Sequence, residues 1–361
     1  MPINKPLPNI LKHKQHFQIL DGLRGVAAVC VVIFHFMEFA APDYHDNFIA
    51  HSYLAVDFFF CLSGFVIAYA YDTKIKEIGI LTFFKMRLIR LHPLVIIGAI
   101  LGLLTFIFDP YSKLFETYGL GKSISMFISA CFLIPLPIVT ERYLNLFHLN
   151  PPMWSLFWEY IANIFYALVL FKLPKKSILI LAIVAAVILV FSAHQYGYIG
   201  VGWGGDTFIG GGARVLYSFV AGILVYKSKW IIKSPLGFLS LSFLLILAFL
   251  VPFSNKYSWI IDSIIVIIYF PLLVALGAGA HLRTNHLKYC KFSGDISYPL
   301  YMIHYPFLWM FLSYVELNKP TMGQMATIIP IGTILFIGLA YLTLIYVDLP
   351  IRKYLISKMK R

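Results

Sequence analysis

Arg24 and His35 lie eleven residues apart on one apolar stretch near the start of the chain, with Asp21 just before them. The next apolar run, 56–65, carries Asp57 and Ser63-Gly64. Glu159 and Arg214 sit inside later apolar runs, and a basic pair, Arg87 and Arg90, precedes another. An imidazole with a carboxylate nearby can take a proton from a hydroxyl during group transfer. Arginines three apart share a helix face and engage phosphate oxygens through the guanidinium fork. The same pair also serves as an ordinary cytoplasmic charge anchor. Inside a membrane helix an Arg or Asp costs about 2.5–3.5 kcal/mol on insertion scales, so such residues point to function rather than to filling space.

The rest of the chain must therefore be a bundle that tolerates these charges. Of its 361 residues 60% are hydrophobic and only 12% are charged, and mean hydropathy is +0.82. A soluble domain would carry about 25% charged residues, so the expected class is an all-α, polytopic membrane protein. The polar, basic start leads straight into successive apolar runs, and no signal peptide is expected. The net charge of +13 is assigned to loops facing anionic lipid, not to nucleic acid. Cys30, Cys61, Cys131 and Cys290 are scattered. They read as small buried hydrophobes, with no disulfide and no metal site expected.

Ten runs are long enough to cross a bilayer: 23–40, 53–71, 91–109, 153–171, 178–193, 209–226, 236–252, 259–279, 298–315 and 324–347. The run 123–140 is ambiguous, because it holds Pro135 and Pro137 and lies in an irregular region ending at Pro151-Pro152. If it does not cross, 22 lysines and arginines fall on one side and 5 on the other; if it does, the split is 11 against 16. The positive-inside rule favours the first arrangement. The expectation is ten transmembrane helices with both termini cytoplasmic and 110–152 as an outer re-entrant lid over a cavity, since irregular backbone at membrane depth must be covered by protein or line water. The expected parts are a 1–22 cytoplasmic segment, a 23–347 transmembrane domain and a 348–361 cytoplasmic tail. Counting about 1.5 Å per residue, His35, Asp57, Glu159 and Arg214 come to one layer roughly 6–9 Å below the outer boundary, with Arg24 about 16 Å beneath His35. His304 lies in the inner half of its span, where a lone histidine among aromatics is more often a hydrogen-bonded packing residue. Trp154 and Trp158 suit an interfacial aromatic belt.

Five motifs in order resemble the membrane acyltransferase 3 family over about residues 16–355: Arg24-x10-His35, the 56–65 segment, Arg87-x2-Arg90, Trp154-Ser155-Leu156-x2-Glu159, and 297–304. The resemblance implies an integral O-acyltransferase of the cytoplasmic (inner) membrane. Such an enzyme takes an acyl group, usually acetyl, from cytoplasmic acyl-CoA to a carbohydrate or glycolipid hydroxyl at the outer face. It implies that His35 is catalytic, and that Arg24, Arg87 and Arg90 hold the acyl-CoA; Ser297, Tyr301 and His304 are grouped with them. No tightly bound cofactor is expected. Asp57 or Glu159 is expected to orient the imidazole. Many relatives carry a further extracytoplasmic domain, so any second transfer step would fall to a separate extracytoplasmic protein. Where relatives often show Glu before Pro, this chain has Asp348-Leu349-Pro350, and Asp348 is given no role.

The rival class is a transporter or flippase of a glycan or acyl group, since buried charges and a re-entrant segment also suit proton-coupled transport. No internal repeat is visible, and the arginine pair with the five motifs favours the enzyme. The topology is tested in a cysteine-free background. A cysteine at 176 should react only with reagents that enter the cytoplasm, and one at 113 from outside. Labelling of 176 from outside overturns the ten-span arrangement.

Overall fold

The computed structural model describes residues 17–282 and 284–359. Most of the expected 1–22 segment, Arg283 and the last two residues of the 348–361 tail lie outside the described residues. The helices are α1 (Gln18–Ala40), α2 (Ala55–Tyr71), α3 (Ile75–Ile78), α4 (Ile80–Ile107), α5 (Leu114–Phe132), α6 (Met153–Leu168), α7 (Lys175–Tyr196), α8 (Phe208–Lys227), α9 (Phe238–Phe249), α10 (Ser258–Ile264), α11 (Phe270–Gly279), α12 (Leu287–Asn318), α13 (Met322–Thr343) and α14 (Leu349–Met359). Among the described residues no strand forms beyond isolated bridges such as Asn145 with Gly204. The all-helical class agrees with the sequence.

Each of the ten apolar runs contains helix, and among the described residues seven helices are long and apolar enough to cross a membrane. Of the runs outside that set, α6 has 16 residues and α9 has 12. α12 has 32 residues but carries Lys288, Lys291 and Asp295 in its first turns. The expected boundary at 22/23 falls inside α1, and that at 347/348 falls inside a continuous helix, Met322–Met359. On α7 the apolar side chains Ile180, Ile183, Val187 and Phe191 are 57–71% exposed. Such a face needs hydrocarbon around it.

With lipid outside, the hydrophobic effect cannot hold helices to each other, and close contact must do so. Glycine provides it for two central pairs. A Cβ on Gly64 of α2 would lie 2.0 Å from the Phe219 carbonyl oxygen of α8, and one on Gly222 of α8 would lie 1.9 Å from that of Cys61. A Cβ on Gly25 of α1 would come within 2.2 Å of the Ser293 carbonyl oxygen of α12. The pairs α1–α12 and α2–α8 thus bring their backbones together, and they carry six of the nine candidate site residues, the other three lying on α4 and α6.

Two prolines in this bundle free carbonyls that side chains of other elements satisfy. Pro306 lacks the N–H that would bond the Met302 carbonyl one turn earlier; Asn150, fully buried, donates to that carbonyl at 2.8 Å. Pro271 leaves the Ile267 carbonyl free within a π-turn, Ile265–Tyr269, and the Tyr217 hydroxyl donates to it at 2.8 Å.

Asn150 belongs to the irregular stretch that follows α5. A kink at Gly119 breaks α5, leaving about 13 residues beyond it, roughly 20 Å and short of a full crossing. The chain then runs back through residues 133–152. Its Leu146 N–H bonds the Trp203 carbonyl at 2.9 Å, and the Gly205 N–H bonds the Leu144 carbonyl at 3.0 Å. Arg142, itself buried, reaches Glu316 and Ser313 of α12, both at 3.0 Å.

Gly222→Leu should destabilise the bundle by more than the ~1–3 kcal/mol typical of overpacking, because backbone faces backbone there. Val187→Leu on the exposed face should leave thermal unfolding in detergent unchanged. Equal effects would contradict the glycine contact.

Candidate active site

His35 sits in the penultimate turns of α1, three residues before Glu38. That spacing stacks the two on one face of the helix. His35 Nδ1 and Glu38 Oε2 are 2.5 Å apart, and the Tyr44 hydroxyl donates to Glu38 Oε1 at 2.9 Å. With Nδ1–H donated to a carboxylate, the lone pair lies on Nε2, which has no hydrogen-bond partner among the described residues. The ring is flanked by Tyr305, centroid 4.8 Å away, and by His304, stacked at 5.6 Å.

His35 and Glu38 line a cavity of about 300 Å³. Its walls are strongly aromatic, with Tyr44, Tyr53, Trp154, Trp203, Tyr305 and Trp309. Tyr143, Asn145, Pro151 and Pro152 of the irregular stretch also contribute. Tyr143 and Leu144 have φ of 61° and 48°, a left-handed conformation that non-glycine residues seldom adopt.

A second cavity of about 260 Å³ adjoins the first and is lined by Arg24, Ser63, Arg87, Arg90, Glu159, Ser297 and Tyr301. A third, about 370 Å³, shares Arg24, Arg90 and Tyr298 with the second and adds Lys291, Asp348 and Arg352. Arg24 is tied to α12, its Nε donating to Ser297 Oγ at 2.8 Å and a terminal nitrogen donating to the Gly294 carbonyl at 2.9 Å. Arg87 pairs with Glu159 at 2.8 Å, and Ser63 donates to the same carboxylate oxygen at 3.0 Å. Arg90 has no carboxylate within ion-pair distance among the described residues.

The two carboxylates expected beside the imidazole are engaged elsewhere. Asp57 is fully buried against Arg214, at 2.7 Å. Arg214 also donates to the carbonyls of Tyr53 at 2.7 Å and Val201 at 2.9 Å, and lies over the Trp154 ring at 5.0 Å. This closed set ties α2 to α8 and to the loops beside them. Glu159 belongs with Arg87, not with the His35 layer. The depth count fails there for two reasons. α6 starts at Met153, just after Pro152, beside the cavity and not at a surface. α4 is one helix of 28 residues, about 42 Å long, so its arginine pair lies within it rather than in a preceding loop.

The residue that sequence reasoning missed is Glu38. It stands near the end of the first run, at i, i+3 from His35, and that spacing is visible in the sequence. Ser297 and Tyr301 join the arginines on the second cavity. His304 does not. It is buried, its Nδ1 faces the Leu300 carbonyl at 2.9 Å, and it meets His35 instead. Asp348 is buried and pairs with Arg352 at 2.5 Å. No group of three or more potential metal ligands occurs among the described residues, and the four cysteines are free.

A family profile described as an acyltransferase domain matches residues 17–345. A curated protein from Rhizobium radiobacter, named protein 2 in picA locus, is 36% identical over 192 residues, which is 50% of this chain and 97% of that protein. O-acetyltransferase OatA of Staphylococcus aureus is 26% identical over 365 residues, 92% of this chain. The chain covers only 57% of the length of OatA. No solved structure gives a significant match.

The site makes a sharp distinction between Asp57 as an ion-pair partner and Asp57 as the carboxylate of the imidazole. Breaking a buried pair from one side costs about 3–5 kcal/mol, while replacing both partners is far milder. Asp57→Ala should lower thermal stability strongly, and Asp57→Ala with Arg214→Met should regain most of it together with activity. A double variant that folds but stays inactive would restore Asp57 to the chemistry.

Proposed function

Because this chain belongs to the acyltransferase domain family, we propose that it moves an acetyl group from acyl-CoA, held on the arginine side, to a hydroxyl of a carbohydrate at the opposite face of the membrane. The observation that carries this reading is the adjacency of two unlike cavities. One holds a histidine with a free Nε2; the next holds three arginines. The O-acetyltransferase relatives support acetyl as the group and a hydroxyl as its destination.

The chemistry follows from the geometry. The polyphosphate head of acyl-CoA would rest on Arg87 and Arg90, with Arg24 at the junction of the second and third cavities. Arg87 already has one carboxylate partner, so Arg90 brings the less compensated charge. The thin pantetheine arm would extend through the second cavity and present the thioester to the first. The carbohydrate would enter the aromatic cavity, whose rings offer apolar faces with polar edges.

As the hydroxyl oxygen bonds to the acyl carbon, its proton passes to His35 Nε2. The C–S bond then breaks and the thiolate takes that proton from the imidazolium. The products are the ester and the free thiol, with no net proton change. Glu38 fixes the tautomer and stabilises the imidazolium, as the carboxylate of a triad does; Tyr44 holds Glu38 in turn. This assigns to Glu38 the role first expected of Asp57 or Glu159. On this reading both termini and the arginine cavities face the cytoplasm of the inner membrane, and 110–152 covers the acceptor cavity from outside.

His35→Ala should reduce acetyl transfer by about 10²–10⁴-fold, the usual contribution of a general base, with acetyl-CoA affinity unchanged. Glu38→Gln should give a smaller kcat loss at unchanged KM for donor. The double variant Arg87→Ala/Arg90→Ala should instead weaken donor binding, and lysine at both positions should recover only part of it. Radiolabelled acetyl-CoA with the purified protein reads all three. Near-normal transfer by a folded His35→Ala protein would overturn the assignment.

A further inference from the structure

The histidine cavity and the first arginine cavity have only two lining residues in common, Val56 of α2 and Tyr301 of α12. Tyr301 is 7% exposed, and its phenol is fixed. The Ser155 hydroxyl has one proton, which it donates to the Pro152 carbonyl at 2.9 Å; the bond of 2.8 Å between Ser155 and Tyr301 is therefore donated by Tyr301. Phe59 meets the Tyr301 ring edge-on, centroids 5.8 Å apart. Tyr301 also lies 6.0 Å from His304, which stacks on His35. A group moving from the arginines to His35 must go past this wall.

We propose that Val56 and Tyr301 form the filter that limits the size of the acyl group. The inference rests on the acyl-thioester reading above. The head of the donor stays with the arginines, so the acyl end leads and is the part that reaches past Tyr301. A single methyl group asks least of a gap bounded by a β-branched side chain and a hydrogen-bonded phenol. Each added methylene has to displace Tyr301 from Ser155 or occupy space in the acceptor cavity. The filter does not touch the bonds that change: the acceptor O–C bond forms, the C–S bond breaks, and the proton reaches the thiolate through His35 whatever the chain length. Pro152, at the end of the irregular 133–152 segment, fixes through its carbonyl the serine that anchors the phenol.

The test uses the purified full-length protein with acetyl-, propionyl-, butyryl- and hexanoyl-CoA, following release of the free thiol. The wild type should prefer acetyl, with kcat/KM falling about tenfold or more from acetyl to butyryl, since one methylene in a tight apolar site is worth about 10–200-fold. Tyr301→Ala and Val56→Ala should each raise the butyryl-to-acetyl ratio by about tenfold. Tyr301→Phe, which keeps the ring and loses the bond to Ser155, should fall between. Val66→Ala, on the arginine cavity away from the shared wall, should leave the ratio as it is. If Tyr301→Ala does not give a folded protein, Val56→Ala and Tyr301→Phe decide the matter. An unchanged ratio in the folded variants, with acetyl turnover intact, overturns the filter alone. A wild-type protein that consumes none of the thioesters overturns the donor reading beneath it.

Discussion

A charge placed inside a membrane bundle has to find its partner within the protein, because lipid offers none. The architecture of this chain follows from how that requirement is met. Asp57 and Arg214 satisfy each other almost completely and lock α2 to α8. Glu159 and Arg87 join α6 to α4. Glu38 takes His35 on the same helix. The pairs differ in how much they leave over. The Asp57–Arg214 set uses both side chains and closes on backbone carbonyls, so it has nothing left for chemistry. The His35–Glu38 pair uses one nitrogen and leaves the other facing a cavity. Arg90, beside Arg87, keeps its charge free. What remains unpaired after the bundle is stable is what the proposed reaction uses.

The backbone obeys the same rule. At two prolines that remove a helical hydrogen bond, a side chain from another element closes the gap, as Asn150 does for Met302 and Tyr217 for Ile267. Asn150 couples the irregular 133–152 stretch to α12, and Arg142 strengthens that coupling through Ser313 and Glu316. A segment with little regular structure is thus held firmly along the histidine cavity, and its left-handed residues Tyr143 and Leu144 can persist there.

Much of this was legible in the sequence, for stated physical reasons. Low charge and recurring apolar runs dictate a helical bundle, and helix occurs in all ten runs. The pairings were less legible. Depth along a helix can be counted, but only from a known starting point, and α6 does not begin at a surface. Which carboxylate meets which arginine depends on helix contacts set by Gly64, Gly222 and Gly25, whose significance appears only once their neighbours are known. Glu38 could have been found, since i, i+3 spacing from a catalytic candidate is a local signal. The histidine cavity and the first arginine cavity could not, because each draws on five helices, and the wall of Val56 and Tyr301 joins two helices far apart in the chain.

The proposed reaction requires an acyl thioester to lie between the arginines and His35 before transfer. A structure of the protein with an acetyl-CoA analogue in which a methylene replaces the thioester sulfur tests it directly. The phosphates should lie against Arg87 and Arg90 and the carbonyl carbon beyond Tyr301, with room for a hydroxyl oxygen about 3–3.5 Å from it and within hydrogen-bond reach of His35 Nε2. An analogue bound with its carbonyl away from His35, or with its phosphates away from both arginines, would contradict it.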